Sequence, residues 1–224
     1  MKKIILSVAI FCMVISTVRA QEFRFGLTAS PVFDWLRVEG DQSENIGTKF
    51  GFQYGLLFDQ TIGSVERYAF STGLIINYAN SGITYIDTVG PVDITSEWDA
   101  KTQYIEIPLT VRLRTNEINY ISYYGQFGVT PGVCIKARGD YSIDGTVLYE
   151  DTNFRDKDNE SGSQYQLLNV SLTLGAGLEY SMAENTAIMA GIFFQNGFAN
   201  VIDDDIDDNS STLKQFGIRL GVLF

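Results

Sequence analysis

The sequence predicts an all-β protein: an eight-stranded antiparallel up-and-down transmembrane β-barrel with short periplasmic turns and long extracellular loops. Three observations predict it. The chain closes on Phe216-Gly217-Ile218-Arg219-Leu220-Gly221-Val222-Leu223-Phe224, an alternating stretch that stops on an aromatic, as the last strand of an outer-membrane barrel does. Eight strand-like segments precede or include it, most of ten residues or more. The connections between them alternate strictly between long and short, the rhythm of a meander barrel with loops on one side and turns on the other.

The first element is an export signal. Met1-Lys2-Lys3 is basic, Ile4 to Val18 is almost wholly apolar, and Val18-Arg19-Ala20 offers small residues for cleavage. Residues 1–20 are therefore expected to be a signal peptide and 21–224 the barrel domain. The apolar run is too short for a spanning helix. Ala9-Ile10-Phe11 before Cys12 is too bulky, and the position too early, for a lipid anchor.

The strands follow in order as 22–38, 49–59, 67–78, 102–114, 120–138, 164–180, 186–195 and 213–224. They are long for globular strands and suited to tilted membrane strands. The connections 60–66, 115–119 and 181–185 are short; 79–101, 139–163 and 196–212 are long. In the fourth strand Ile105, Ile107, Leu109, Val111 and Leu113 share one face, and Glu106, Thr110, Arg112 and Arg114 the other. The fifth sets Tyr123, Phe127, Val129, Val133 and Ile135 against Gln126, Thr130, Cys134, Lys136 and Arg138. The sixth sets Leu168, Val170, Leu172, Leu174 and Leu178 against Asn169, Ser171, Thr173 and Glu179. The eighth sets Phe216, Ile218, Leu220, Val222 and Phe224 against Gln215 and Arg219. A continuous apolar face fits a lipid-facing band, and a small, polar face fits a narrow lumen. A soluble lipocalin-like barrel shares this alternation with its faces exchanged. Against it stand the aromatic terminus, the loop asymmetry, and aromatics near strand ends (Trp35, Tyr68, Tyr78, Tyr104, Tyr120, Tyr180) that suit interfacial girdles.

Composition narrows the chemistry. Without the leader's three basic residues, 13 Lys+Arg face 27 Asp+Glu, a formal charge near −14, which repels nucleic acid. The chain has no His, which removes the usual base of Ser-His and Asp-His enzymes. Cys134 is the one cysteine beyond the leader, so no disulfide forms within the barrel and no base activates the thiol. The expectation is a protein that is not an enzyme and holds no cofactor.

Tyr104-Ile105-Glu106-Ile107-Pro108-Leu109 and Tyr123-Tyr124-Gly125-Gln126-Phe127-Gly128, with Phe25-Gly26-Leu27-Thr28-Ala29-Ser30-Pro31 and Asn196-Gly197-Phe198-Ala199-Asn200-Val201, resemble the outer-membrane β-barrels of Bacteroidetes, the PorT-like or "porin family" barrels. The resemblance covers nearly the whole chain beyond the leader. It implies an OmpA-like eight-stranded barrel in the bacterial outer membrane. The family's namesake takes part in type IX secretion, but no residue here is diagnostic of that role.

Three groups are candidate sites. Glu106, Arg112, Arg114, Lys136, Arg138, Glu179 and Arg219 fall on inward faces and are expected to form a barrel-interior charge network. In a lumen only wide enough for side chains, such charges must pair. Asp203, Asp205 and Asp207 echo the oxygen spacing of a calcium loop, but Asp208 and Lys214 stand where an EF-hand needs Gly and Glu. Only loose divalent binding, shared with lipopolysaccharide, is left to them. By resemblance, Phe224 is an assembly signal read by the barrel-assembly machinery. The functional expectation is a structural or loop-presenting barrel, in contact with outer-membrane lipid, lipopolysaccharide and an envelope protein partner. The alternatives are an accessory part of a type IX secretion or gliding apparatus, and a small-solute pore.

Overall fold

The computed structural model describes residues 23–39, 43–45, 47–63, 67–89, 92–155, 163–204 and 210–224. In chain order the strands are β1 (Phe23–Glu39), β2 (Ser43–Asn45), β3 (Lys49–Thr61), β4 (Tyr68–Val89), β5 (Val92–Glu106), β6 (Leu109–Arg114), β7 (Ile121–Ile143), β8 (Thr146–Asn153), β9 (Ser163–Tyr165), β10 (Leu168–Ala183), β11 (Thr186–Gly197), β12 (Ile202–Asp204) and β13 (Ser210–Leu223). Every pairing is antiparallel. Neighbours run β10-β11-β13-β1-β3-β4-β5/β6-β7, and β7 pairs with β10 to close the ring. β5 and β6 are two parts of one stave. They part at Ile107-Pro108, because Pro108 has no N–H to give to the ladder; the Ile107 N–H is still held by the Pro131 carbonyl at 2.9 Å.

Eight staves thus form the barrel, as the alternation predicts. Closure pairs each of the eight staves with a neighbour on both sides, which removes the edges an open sheet would have. Where β13 meets β1, Phe25 and Phe224 exchange backbone hydrogen bonds of 3.0 and 2.6 Å. The Phe224 ring lies outside and stacks on Phe25 with centroids 6.4 Å apart.

Two connections differ from the sequence reading. Residues 79–101 read as a long loop, but β4 and β5 run on through them, paired from Ala79↔Thr102 to Val89↔Val92. The stretch 139–163 begins as a hairpin. β7 continues to Ile143, Asp144 and Gly145 turn with φ of 47° and 76°, and β8 returns. Positive φ at both turn positions is what a tight hairpin requires, and Asp-Gly supplies it. The loop end of the barrel is therefore a raised β-collar. At the end carrying the termini, the described connections between staves are short turns.

The outer wall is apolar. On β7 it runs from Tyr123 through Phe127, Val129 and Val133 to Ile135, all exposed. Twelve strand steps span about 40 Å, or about 30 Å along the barrel axis at ordinary strand tilt, close to the thickness of a hydrocarbon core. Tyr68, Tyr120, Tyr123 and Tyr180 ring the terminal end; Phe33, Phe50, Phe52, Tyr54 and Tyr78 border the other on β1, β3 and β4. Tyr104 departs from the girdle reading. It shares the parity of Glu106 and is buried in the lumen at 1 % exposure.

Candidate functional site: the filled lumen

Alternation sends every second side chain of every stave inward, and an eight-stranded lumen must then be filled by them. The described interior divides into layers. Nearest the termini is an ionic layer. Arg112, fully buried, donates to Asp59 at 2.7 Å, to Glu179 at 3.4 Å and to Gln126 at 3.2 Å. Arg114 donates to the same Asp59 oxygen at 3.2 Å and lies 3.7 Å from Glu179. Arg24 donates to Glu179 at 2.8 Å, and the Ser71 hydroxyl to Asp59 at 2.6 Å. The Arg112 guanidinium also lies 4.9 Å from the centre of the Tyr124 ring. Two carboxylates and three guanidiniums from β1, β3, β6 and β10 therefore hold one another. This geometry makes a buried charge tolerable.

The middle layer is polar and mostly made of amides. Gln215 donates to Asp34 at 2.7 Å, and the Asn80 backbone N–H to the other Asp34 oxygen at 3.0 Å. Asn77 donates to Glu106 at 2.6 Å and to Gln215 at 3.0 Å. Gln195 donates to Glu106 at 3.4 Å, and Gln53 to Gln195 at 3.1 Å. Arg219 stacks on Phe193, its guanidinium carbon 4.5 Å from the ring centre, and its Nε has no hydrogen-bond partner among the described residues.

At the loop end the filling is apolar. Leu36, Ile83, Tyr104, Cys134, Phe154, Tyr165, Val201 and Leu213 form one buried cluster, with Trp98 packed against it. Phe154, Tyr165 and Val201 come from the connections. They are held by a chain of backbone bonds: Phe154 N–H to Ala137, Tyr165 N–H to Phe154, and Val201 N–H to Ser211. The Tyr165 hydroxyl bonds to Ser81 at 2.9 Å.

Of the expected network, Glu106, Arg112, Arg114, Glu179 and Arg219 face inward, though in two layers. Glu106 is bound to amides and not to the guanidiniums of Arg112 and Arg114. Lys136 and Arg138 correct the sequence reading: they lie on the outer face. A β-bulge is the cause. Tyr104 pairs with Cys134 while the preceding Gln103 pairs with Lys136, so Ile135 is extra and the alternation resets. Ala137 takes the inward place, and Arg138 pairs outside with Asp151 at 2.9 Å. Sequence reasoning missed Arg24, Asp34 and Asp59. Their signal was available, since each is a charged residue on the inward parity of β1 or β3. The expected signal segment 1–20, Asp205 and Asp207 lie outside the described residues, as does the side chain of Asp203.

A closed ring of eight antiparallel staves, apolar outside and filled with paired polar groups inside, defines an integral membrane β-barrel. The chain belongs to the family described as the outer membrane protein beta-barrel domain, whose model matches residues 19–203. No curated protein matches it. Among solved structures, the Neisserial surface protein A is similar at 13 % identity, over 89 % of this chain and 95 % of that one, with a TM-score of 0.46. OprG from Pseudomonas aeruginosa is similar at 11 % identity over 91 % and 97 %, with a TM-score of 0.40. Ail, the attachment invasion locus protein of Yersinia pestis, is similar at 16 % identity over 91 % and 99 %, with a TM-score of 0.36.

Proposed function

We propose that this outer-membrane barrel is a closed, non-enzymatic one, with its collar outside the cell and its termini in the periplasm, and that it serves the envelope through its wall and loops. One observation carries the reading: the described lumen is occupied from the Arg24–Glu179 pair at one end to the Phe154–Tyr165 cluster at the other. A conducting path would have to break both the ion pairs and the apolar cluster. The small-solute pore is correspondingly disfavoured. Planar-bilayer recording tests this directly. Purified barrel is expected to give no discrete conductance steps, and steady steps in fresh preparations would overturn the closed reading.

The raised collar is the surface available to an envelope protein partner, and crosslinking on native membranes followed by partner identification tests that role. Recovery of secretion or gliding components would favour the accessory alternative, which stands on the family resemblance alone. The outward position of Phe224 on the closing strand suits a residue recognised by the barrel-assembly machinery before closure. Phe224→Ser is expected to slow insertion in cells while leaving refolded barrel intact on a heat-modifiability gel.

A further inference from the structure

The outer wall carries a cluster of cations that the lumen does not use. On β7 the exposed apolar positions end at Ile135, and the next outward side chains are Lys136 and Arg138. On β5, running the other way, Ile105 gives way to Gln103 and Lys101. The register sets Gln103 opposite Lys136 and Lys101 opposite Arg138. Three cations thus occupy neighbouring rungs of one outer face, immediately beyond the apolar band. Elsewhere around the same rim, on β1, β3 and β4, the exposed border is aromatic. In a chain of net charge −11 these cations stand together at the edge of the band, and the carboxylates Asp99 and Asp140 face each other on the next outward rung.

The same place is a fork in the wall. β7 pairs with β10 as far as Val133↔Leu168 and with β8 from Arg138↔Asn153. Between these points lies a surface depression of about 520 Å³, lined by Ile135, Lys136, Arg138, Asn153 and Arg155. Arg155 is anchored into it. Its backbone N–H is held by the Asn153 side chain at 3.2 Å, and its guanidinium donates to the Ile135 carbonyl at 3.1 Å. Asp151, itself largely exposed, engages Arg138, which is partly buried. Among the described residues, no ion pair holds Lys101 or Lys136.

We infer that this fork is a binding site for the phosphorylated headgroup of a membrane lipid, set on the outer wall where the apolar band ends. The upper half presents ammonium and guanidinium groups suited to phosphate. The lower half presents Val133, Ile135 and Leu168, exposed and apolar, suited to the acyl chain below that phosphate. A free anion would use only the upper half. Cations set at the edge of an apolar band are placed where lipid-binding side chains are. The inference rests on the outer-membrane reading above.

The test is native mass spectrometry of folded barrel in a neutral detergent, with lipid A in its phosphorylated and dephosphorylated forms as probes. The parent protein is expected to retain one phosphorylated lipid. Lys101→Gln/Lys136→Gln is expected to weaken retention roughly thirtyfold, about fivefold per cation. Lys214→Gln, an outward lysine on another stave, should leave it unchanged, and all variants should keep their heat-modifiable migration. Millimolar inorganic phosphate should not displace the lipid. Equal retention of the dephosphorylated lipid, unchanged retention in the double variant, or full displacement by phosphate would each overturn the site. A barrel that inserts into bilayers but retains no lipid sinks the site alone; a chain that shows no heat shift and no insertion sinks the membrane reading with it.

Discussion

The two ends of this barrel close the same narrow tube by opposite means. At the loop end Phe154, Tyr165 and Val201 fold down from the connections onto Leu36, Ile83 and Tyr104, and water is driven out. At the terminal end the turns are too short to reach across the mouth. A polar depression of about 590 Å³ remains there, lined by Arg24, Arg67, Arg114, Glu117 and Glu179 among others. Behind it the tube is filled by Arg112, Asp59 and Glu179 in mutual contact. The difference follows from chain length. A long connection can bury aromatic area over a lumen, and burial then supplies the stability. A turn of a few residues cannot, so the filling must tolerate nearby water, and paired charges do. The cluster that depends on loops can come loose piecemeal, whereas the ionic layer is built from staves alone and cannot open without the ring.

The largest expected effect is therefore at the terminal end. Arg112→Ala leaves Asp59 buried without its nearest cation and Glu179 with one cation fewer, and should cost about 3–5 kcal/mol. The measurement is denaturant unfolding of refolded barrel in lipid vesicles, read by heat-modifiable migration. A loss under about 1 kcal/mol would mean that Arg24 and Arg114 alone hold both carboxylates. Next comes Phe154→Ala at the loop end. Truncating a fully buried Phe normally costs about 3–5 kcal/mol. Here the loss should fall on the collar: faster proteolysis and amide exchange around residues 146–155 and 165–167, with the barrel's own unfolding midpoint almost unchanged. A matching fall in that midpoint would show that the two ends are coupled.

Between the ends, Gly177 and Gly191 face each other across β10 and β11. A Cβ at either would collide with the Tyr124 hydroxyl and with the neighbouring strand's backbone. Gly191→Val should cost about 1–3 kcal/mol by overpacking. Tyr124→Phe in the same chain should return part of that if the hydroxyl is the obstacle. An unrelieved double variant would place the strain in the Ala176 carbonyl and Gly177 backbone, which also crowd that position.

How much of this was legible beforehand depends on the type of signal. Strand alternation is a local pattern with a fixed period, so the staves and the inward faces of Glu106, Arg112, Glu179 and Arg219 could be read directly. The same logic places Tyr104 inside, by its parity with Glu106, and finds Asp34 and Asp59 once β1 and β3 are assigned faces. The bulge at Ile135 is different. It arises from the pairing of β7 with β5, and nothing in Cys134-Ile135-Lys136-Ala137 marks it, so Lys136 and Arg138 come out on the wrong side of the wall. The collar was half visible: Asp144-Gly145 is a hairpin turn by chemistry, and Gly82-Ile83-Thr84-Tyr85-Ile86 has strand composition. Reading charge and gap length alone hid both.

The smallest expected effect tests whether the comparison concerns charge pairing as such or its burial. Lys49 and Asp99 form a pair of 2.6 Å, as short as any in the ionic layer, but at the collar, with the Asp99 side chain half exposed. Both partners keep their water when separated, and salt screens what attraction remains. Lys49→Gln should therefore change the unfolding free energy by no more than about 0.5 kcal/mol. Raising the salt from about 0.1 to 1 M, which shortens the screening length from roughly 10 to 3 Å, should erase even that difference. The same change of salt should leave the Arg112→Ala penalty nearly intact, because the staves keep ions from Asp59 and Glu179. If both penalties shrink together with salt, the terminal mouth is wet down to Arg112, and the ionic layer lines an open vestibule instead of filling a closed tube.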